Sequence, residues 1–83
     1  MRLQIVEVYD SVAEMFMPPQ FERALGAAIR SFEQGVLNTP HANDLILYHA
    51  GEYDDVSGEY SIFESKRKLS TGFDVAKLHA VGD

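Results

Sequence analysis

The sequence predicts an α+β domain in which one amphipathic helix packs on a small antiparallel sheet of three to four strands. Three observations support this prediction. Residues 44–64 have the pattern of a β-hairpin, residues 20–34 carry a helical apolar stripe, and residues 3–9 form a separate β-favouring run. The predicted order is therefore β-(β)-α-β-β, within a single domain that spans residues 1–83.

The hairpin prediction rests on two apolar runs and the turn between them. The runs at residues 45–48 and 60–63 are rich in residues that favour strands, and two aspartates and Gly58 lie between them. Aspartate side chains can hydrogen-bond their own backbone in a turn, and glycine can take the positive φ that closes a short loop. Gly51, inside the first strand of the hairpin, indicates a bulge or a close backbone approach.

Residues 3–9 predict the first strand, which we expect to pair with one strand of the hairpin. Apolar residues face both sides of it, as in a strand that is covered on both faces or buried at a subunit contact. Residues 13–17 form either a short second strand or an irregular approach to the helix, because periodicity cannot decide over so short a run.

The helix is predicted over residues 20–34. A proline pair before it suits the first helical turn, and apolar residues recur from residue 21 to residue 32 at spacings of 3, 1, 3, 1 and 3. Gly35 is the predicted residue that ends the helix. Gly26 lies inside the helix and is expected to let it approach the sheet closely, with close approach to a partner as the alternative.

The predicted core spans residues 3–64, and residues 65–83 are predicted to form a tail that is flexible or ordered by a partner. Thr71, followed three residues later by Asp74, resembles a capping box. It predicts the start of a short C-terminal helix over residues 73–81, with only a thin apolar stripe.

Composition excludes several classes of protein. The chain has no cysteine, which excludes a disulfide framework and a thiolate metal site. Glu7 and Asp10 interrupt the first apolar run, so we expect neither a signal peptide nor a membrane span, and a soluble cytoplasmic protein. A small core and open sheet edges also lead us to expect a homodimer or a higher homo-oligomer.

The net charge of −6 is unevenly distributed. Residues 44–64 contain six acidic residues and no basic one, whereas residues 65–83 contain four basic residues and two acidic ones. An acidic hairpin repels a phosphate backbone, which proteins normally bind with lysine and arginine. Any contact with nucleic acid must therefore use a surface outside the hairpin turn.

The candidate metal and catalytic sites lack the spacing that their chemistry needs. His41, His49 and His79 have none of the close pair spacings of zinc ligands, and the aspartate turn lacks the alternating oxygen ligands of a calcium loop. Glu52 and Asp54 form an exposed acidic rim rather than a buried acid–base pair. The chain contains neither a nucleophile elbow nor a glycine-rich phosphate loop. We therefore expect no enzyme activity, no metal and no cofactor.

The basic run after the hairpin is the main candidate for binding chemistry. Such a run can follow a phosphate backbone while aromatic side chains stack on unpaired bases. The alternative is a solvated edge or tail that offsets the acidic hairpin within the monomer or across a dimer. The candidate nucleic-acid-binding residues are Lys66, Arg67 and Lys68, with Arg2, Arg23 and Arg30 for phosphates and Tyr48, Tyr53, Tyr60 and Phe63 for stacking.

Three short stretches follow one another in an order that a known family shares: VYDS at residues 8–11, GAAIRSF at 26–32 and GEYDDVSG at 51–58. Together they resemble the small nonstructural protein of gokushovirus-type microviruses, phages with circular single-stranded DNA genomes, and the resemblance covers residues 3–64. The proline pair before the helix and the short segment after it depart from the family pattern. The resemblance implies a phage accessory protein in the cytoplasm of the bacterial host, absent from the mature virion, that acts in genome replication or packaging.

Two functions are compatible with these observations. The first is non-enzymatic binding of single-stranded DNA by a homo-oligomer, with an affinity that falls steeply with salt. The second is regulation through a protein contact, in which the acidic hairpin docks on a basic replication or capsid-assembly protein of the phage and no nucleic acid is bound. They differ in whether the basic side chains converge on one face with aromatic residues between them, or scatter.

Overall fold

The computed structural model describes residues 1–40 and 42–81, which form one antiparallel sheet and two α-helices. In chain order the elements are β1 (Arg2–Asp10), β2 (Met15–Phe16), β3 (Gln20–Glu22), α1 (Leu25–Leu37), a 3-10 turn (Ala42–Asp44), β4 (Leu45–Asp54), β5 (Tyr60–Thr71) and α2 (Gly72–Val81). The predicted α+β class is confirmed. Within these two ranges, neither helix is long and apolar enough to cross a membrane.

The strand order is β2-β1-β4-β5, and β3 pairs with β1 on the same edge as β2. β1 pairs with β4 along its whole length, from Arg2 opposite Asp54 to Asp10 opposite Leu45. β4 and β5 form the predicted hairpin, and the predicted pairing of the first strand with the hairpin is also confirmed. β1 and β4 are the central strands, because each has neighbours on both sides.

Two glycines of the hairpin have the roles that the sequence predicts. Gly58 has a φ of 78° in the turn, a conformation that glycine adopts without steric cost. At Gly51 the register of the hairpin shifts, and a Cβ atom there would overlap the carbonyl oxygen of Ser61 and lie 3.0 Å from Cα of Ile62. The predicted bulge and close approach at Gly51 are confirmed.

The helix begins later than predicted. Gln20–Glu22, assigned to the first turn of a helix over residues 20–34, instead forms β3, with Phe21 opposite Ile5 of β1. The backbone groups on the outer edge of β1 need hydrogen-bond partners, and the extended segment after the prolines supplies them. Ala24 is still extended, with φ −145° and ψ 145°, and α1 starts at the next residue.

The helix also ends later than predicted. Gly35 lies inside α1 rather than after it, and the cap is Asn38, whose N–H donates to the carbonyl oxygens of Gln34 and Val36. Burial of Val36 in the core explains the extra turn, because its side chain would lose these contacts if the helix stopped at Gly35. The expected close approach of the helix to the sheet at Gly26 is also wrong, since a Cβ atom there would meet nothing within 4 Å, and the alternative of a partner at Gly26 stays a prediction.

The core lies between the two helices and one face of the sheet. Val6 and Leu47 come from the central strands, and the helix stripe packs on them. This burial of apolar surface is the main stabilising contribution to the fold. The buried members of the cluster are Val6, Ala28, Phe32, Val36, Ala42, Leu47 and Val75. Both helices therefore lie on the same side of the sheet.

The chain after residue 64 continues the fold. β5 extends through Lys66 and Lys68 to Thr71, so the basic run lies in a strand and not in a tail. The hydroxyl oxygen of Thr71 accepts a hydrogen bond of 3.0 Å from the N–H of Asp74, which caps α2 as predicted. Val75 of α2 is buried against the core. These contacts attach the C-terminal segment to the domain.

Candidate nucleic-acid interface on the open face of the sheet

The side of the sheet that faces away from α1 and α2 is called the open face here. Opposite residues of neighbouring strands carry their side chains on the same face, and faces alternate along a strand. Because Val6 and Val8 point to the core, the odd-numbered residues of β1 point to the open face. Tyr9 of β1, four partners of odd-numbered β1 residues and the β5 partner of Tyr53 therefore place six aromatic residues on the open face: Tyr9, Phe16, Phe21, Tyr48, Tyr53 and Tyr60.

The first aromatic cluster lies at the end of the sheet where β2 pairs with β1. Tyr9 is directly opposite Phe16, and their ring centroids are 4.7 Å apart. The ring of Phe16 is 6.0 Å from that of Tyr48 on β4. These are separations at which aromatic rings attract one another. Phe16 remains 42% exposed, so its ring has a surface available to a ligand.

The second cluster lies at the hairpin end of the open face. Phe21 makes an edge contact with Tyr53 at 5.5 Å between centroids, and Tyr53 lies 4.7 Å from Tyr60. Phe21 is 44% exposed and Tyr60 is 61% exposed. The two clusters therefore place half-exposed rings at both ends of the same sheet surface.

A bulge in β5 directs Lys66 across this surface. Between the pairs His49–Arg67 and Gly51–Ile62, β5 has four residues where β4 has one. The ammonium group of Lys66 reaches over β4, lies 2.6 Å from Oε1 of Glu7 on β1, and is 3.8 Å from the ring centroid of Phe16. Bulges commonly redirect side chains in this way.

The three residues of the basic run do not share one face. Lys68 is opposite Tyr48, on the open face, and is exposed. Arg67 lies on the helix side, with its guanidinium carbon 4.2 Å from the ring centroid of Phe63. Thus Lys66 and Lys68 accompany the aromatic clusters, whereas Arg67 and Phe63 point to the other face.

The remaining predicted cations are dispersed. Arg30 is exposed on α1, which lies on the helix side of the sheet. Arg23 is exposed in the link between β3 and α1. Arg2 forms an ion pair of 2.8 Å with Glu52. The predicted phosphate-binding set therefore scatters, apart from the two lysines on the open face.

The acidic turn is engaged within the molecule. One carboxylate oxygen of Asp54 accepts from the N–H groups of Val56 and Ser57, and these backbone hydrogen bonds lower the pKa of Asp54. Asp55 accepts a hydrogen bond of 2.7 Å from the amino group of Met1, and this bond raises the pKa of that amino group. Both aspartates thus help to fix the turn and the first strand.

His49, considered from sequence as a metal ligand, is a core residue of β4. It is 4% exposed, its Nε2 lies 2.8 Å from Oε1 of Gln4, and its ring meets the ring of Phe63 edge to face. Burial lowers the pKa of His49. His41 and the side chain of His79 lie outside the described residues. In the part of the chain that is described, no three His, Asp or Glu residues gather as a metal site.

The helix side has an apolar cleft of about 330 Å³ between α1 and the chain around Pro18. Val6, Phe32 and Leu47 line it, and Glu22 is its charged residue. Such a lining offers mainly apolar contact to a ligand, and Gln20, Ser31 and Thr39 are its uncharged polar residues.

Phe16, Phe21 and Tyr9 were not among the predicted site residues. Phe21 was assigned to the helical stripe, although the stripe is complete without it from Leu25 onward. The proline pair favours extended backbone only at Met17 and Pro18, which precede prolines, so no local signal marked Phe21 as part of a strand.

The comparison with protein families supports the coarser part of the resemblance, a phage protein family. The model of the family described as Phage ORF5 protein matches residues 3–75. The chain belongs to the Phage ORF5 protein family. The Phage ORF5 match extends past residue 64 and so includes β5 and the start of α2. Searches of curated proteins and of solved structures returned no match for this Phage ORF5 chain.

Proposed function

We propose that this chain is a non-enzymatic accessory protein of a gokushovirus-type microvirus that binds single-stranded DNA on the open face of its sheet. It acts as a homo-oligomer in replication or packaging of the genome, in the cytoplasm of the bacterial host and outside the mature virion. Membership of the Phage ORF5 protein family supports the phage setting. The observation that carries DNA binding is the pair of aromatic clusters on a sheet face that the helices leave uncovered.

Base stacking is the main contribution that this surface can make. Single strands present unpaired bases, and stacking of one base on an aromatic side chain is worth about 1–3 kcal/mol by alanine substitution. Phe16, Phe21 and Tyr60 are the most exposed rings of the two clusters. Stacking on rings needs no particular base, so the proposed binding has little sequence preference.

Phosphate contacts contribute less. Lys66 and Lys68 are the lysines on the open face, and Glu7 already neutralises Lys66. Two phosphate contacts to a single strand correspond to a slope of about −1.4 in log affinity against log salt. The net charge of −6 opposes binding elsewhere on the molecule. The proposed affinity is therefore modest and depends on stacking more than on charge.

A titration of fluorescently labelled single-stranded oligonucleotide at two salt concentrations tests the proposal. Tyr60→Ala should weaken binding about fivefold or more, through loss of one stacking contact. Phe73→Ala is the matched control, because Phe73 is similarly exposed, at 59% against 61%, but lies on α2.

Lys68→Ala should make the salt slope less negative by about 0.7, whereas Lys77→Ala on α2 should not. Absence of binding at low salt, or equal effects of the paired variants, would refute the proposal.

The distribution of charge favours a second candidate function. Glu59 and Glu64 are exposed acidic residues of the hairpin, close to the turn that Asp55 helps to fix. They could dock on a basic replication or assembly protein of the phage. This candidate expects no oligonucleotide binding at low salt. It also expects a viral protein that is captured from infected cells by the wild-type chain and lost with Glu59→Lys and Glu64→Lys.

A further inference from the structure

β5 is the long edge strand of the sheet. Among the described residues, no strand pairs with its outer edge, and nearly all of it from residue 60 to residue 68 is exposed. Glu59 and Glu64 lie in or before its first half, whereas Lys66, Arg67 and Lys68 lie in the second. We propose that a second copy of this chain pairs with β5 along this edge, antiparallel, about a two-fold axis at Ser65.

The axis must be perpendicular to the sheet, because only that two-fold rotation makes two edge strands antiparallel neighbours. It keeps both open faces on the same side, so opposite residues must come from the same face. Side-chain contacts show which residues of β5 lie on the open face and which lie on the helix side. Lys66 touches Phe16 on the open face, and Arg67 and Phe63 lie on the helix side. Residues of the same parity therefore face each other.

Charge then favours Ser65 as the centre over the charged positions on either side of it. An axis at Glu64, Lys66, Arg67 or Lys68 would place a charged residue opposite its own copy, and like charges directly opposite each other are destabilising. An axis at Ser65 places a neutral residue on the axis. Glu64 then lies opposite Lys66 of the second copy and diagonal to its Lys68, twice over, and these contacts outweigh the one diagonal contact that Glu64 and Lys66 each make with their own copy. The strand is self-complementary in charge about Ser65.

The same register pairs Phe63 with Arg67 of the second copy. Within one chain Arg67 already lies on the ring of Phe63, so the pairing places each ring between two guanidinium groups. The backbone agrees with this arrangement, since residues 63–66 are the β5 residues that the bulge leaves without a partner on β4. A second strand would provide hydrogen-bond partners for this segment.

This pairing rests on the homo-oligomeric part of the proposed function but not on DNA binding. It would join two sheets into one, with both helical layers on one side and both open faces on the other. Self-association is measured on the protein alone. Failure of the proposed β5 pairing can therefore be distinguished from failure of the proposed DNA binding.

Disulfide trapping tests the register. The chain has no cysteine, so Ser65→Cys introduces a single thiol that lies opposite its own copy. Opposite residues of antiparallel strands have Cα atoms about 4.5–5.5 Å apart, within the range of a disulfide. Ser61→Cys is the matched control, because it lies on the same strand and the same face but away from the axis. In a glutathione redox buffer, Ser65→Cys should form a disulfide dimer and Ser61→Cys should stay monomeric.

Sedimentation tests the charge argument without a covalent bond. The wild-type chain should dimerise, and Glu64→Lys should raise the dimer dissociation constant about tenfold or more, because two attractive pairs become repulsive. Glu33→Lys makes the same charge change on α1 and should leave the constant unchanged. A monomeric wild-type chain, equal trapping of both cysteine variants, or equal effects of both lysine variants would overturn the proposal.

Discussion

Lys66 and Glu7 form an ion pair across a strand that separates them, with 2.6 Å between Nζ and Oε1. Glu7 lies on β1 and Lys66 on β5, and β4 runs between the two. The carboxylate is largely buried, at 17% exposure, and within the described residues Oε1 accepts no well-aligned hydrogen bond, so the positive charge of the nearby ammonium group is what offsets its burial. The ring of Phe16 covers the same ammonium group. One lysine therefore links three strands of the sheet.

Replacement of Lys66 by alanine should lower the free energy of unfolding by about 1–2 kcal/mol. The buried carboxylate of Glu7 would lose its partner, and the value is reduced from that of a fully buried pair because Lys66 is partly exposed to solvent. Urea denaturation measures the change as a shift in midpoint at constant slope.

The additional change Glu7→Gln should restore part of this loss, since it removes the unpaired charge. Lys77→Ala, an exposed position on α2, is the control and should have little effect. If Lys66→Ala and Lys77→Ala are equally stable, the ion pair contributes nothing.

Substitution of Gly51 by alanine should destabilise the hairpin by about 2–4 kcal/mol. The new Cβ atom would overlap the carbonyl oxygen of Ser61 and press on Cα of Ile62, and both are backbone atoms of a paired strand. They cannot move without breaking the pairing of β4 with β5. Thermal or urea unfolding monitored by circular dichroism provides the measurement.

Gly35→Ala is the matched control for this change. A Cβ atom at Gly35 meets nothing within 4 Å, and the residue lies inside α1. The alanine should therefore stabilise the protein by up to about 1 kcal/mol. Opposite signs for the two glycines are expected, and a neutral Gly51→Ala would contradict the close approach of the strands.

The stability of the protein should fall on acidification through the titration of His49. Burial lowers the pKa of His49 below its usual value of 6.5, with Arg67 acting in the same direction and a backbone hydrogen bond with Gly51 opposing it. As the pH falls through 6.5, the unfolded chain binds a proton before the folded chain does. The contribution of neutral His49 to the free energy of unfolding is therefore complete above pH 6.5. It is lost as the pH falls from 6.5 to the lower pKa that His49 has in the folded chain.

The measurement is the urea midpoint as a function of pH for the wild-type chain and for His49→Gln. Glutamine does not titrate, so the difference between the two proteins should shrink as the pH falls through this window. A difference that is constant with pH would show that His49 has the same pKa in both states.

The sequence determines the hairpin strongly because each of its signals is local. Apolar runs, turn aspartates and Gly58 act within a few residues of one another, and they remain valid whatever packs around them. The helical stripe from Leu25 to Phe32 is equally local. The start of the helix is different, because the outer edge of β1, distant in sequence, recruits Gln20–Glu22 as a strand.

The candidate site is predictable only in part for the same reason. Tyr48, Tyr60 and Lys68 are recognisable by residue type, and the structure places them on one face. The separation of Arg67 from Lys66 follows from strand alternation once the strand is known to continue past residue 64. The reach of Lys66 to Glu7 depends on a bulge that no local pattern encodes.

The place of β1 in the sheet has a consequence for biosynthesis. β1 leaves the ribosome before the other strands described, it is a central strand, and its main partner is β4, with Arg2 opposite Asp54. Before β4 emerges, β1 can pair only with the short segments β2 and β3. Long-range pairing of this kind slows folding and keeps apolar strand surface exposed meanwhile. The nascent chain should therefore acquire protease resistance in one late step, after residue 54 has cleared the exit tunnel.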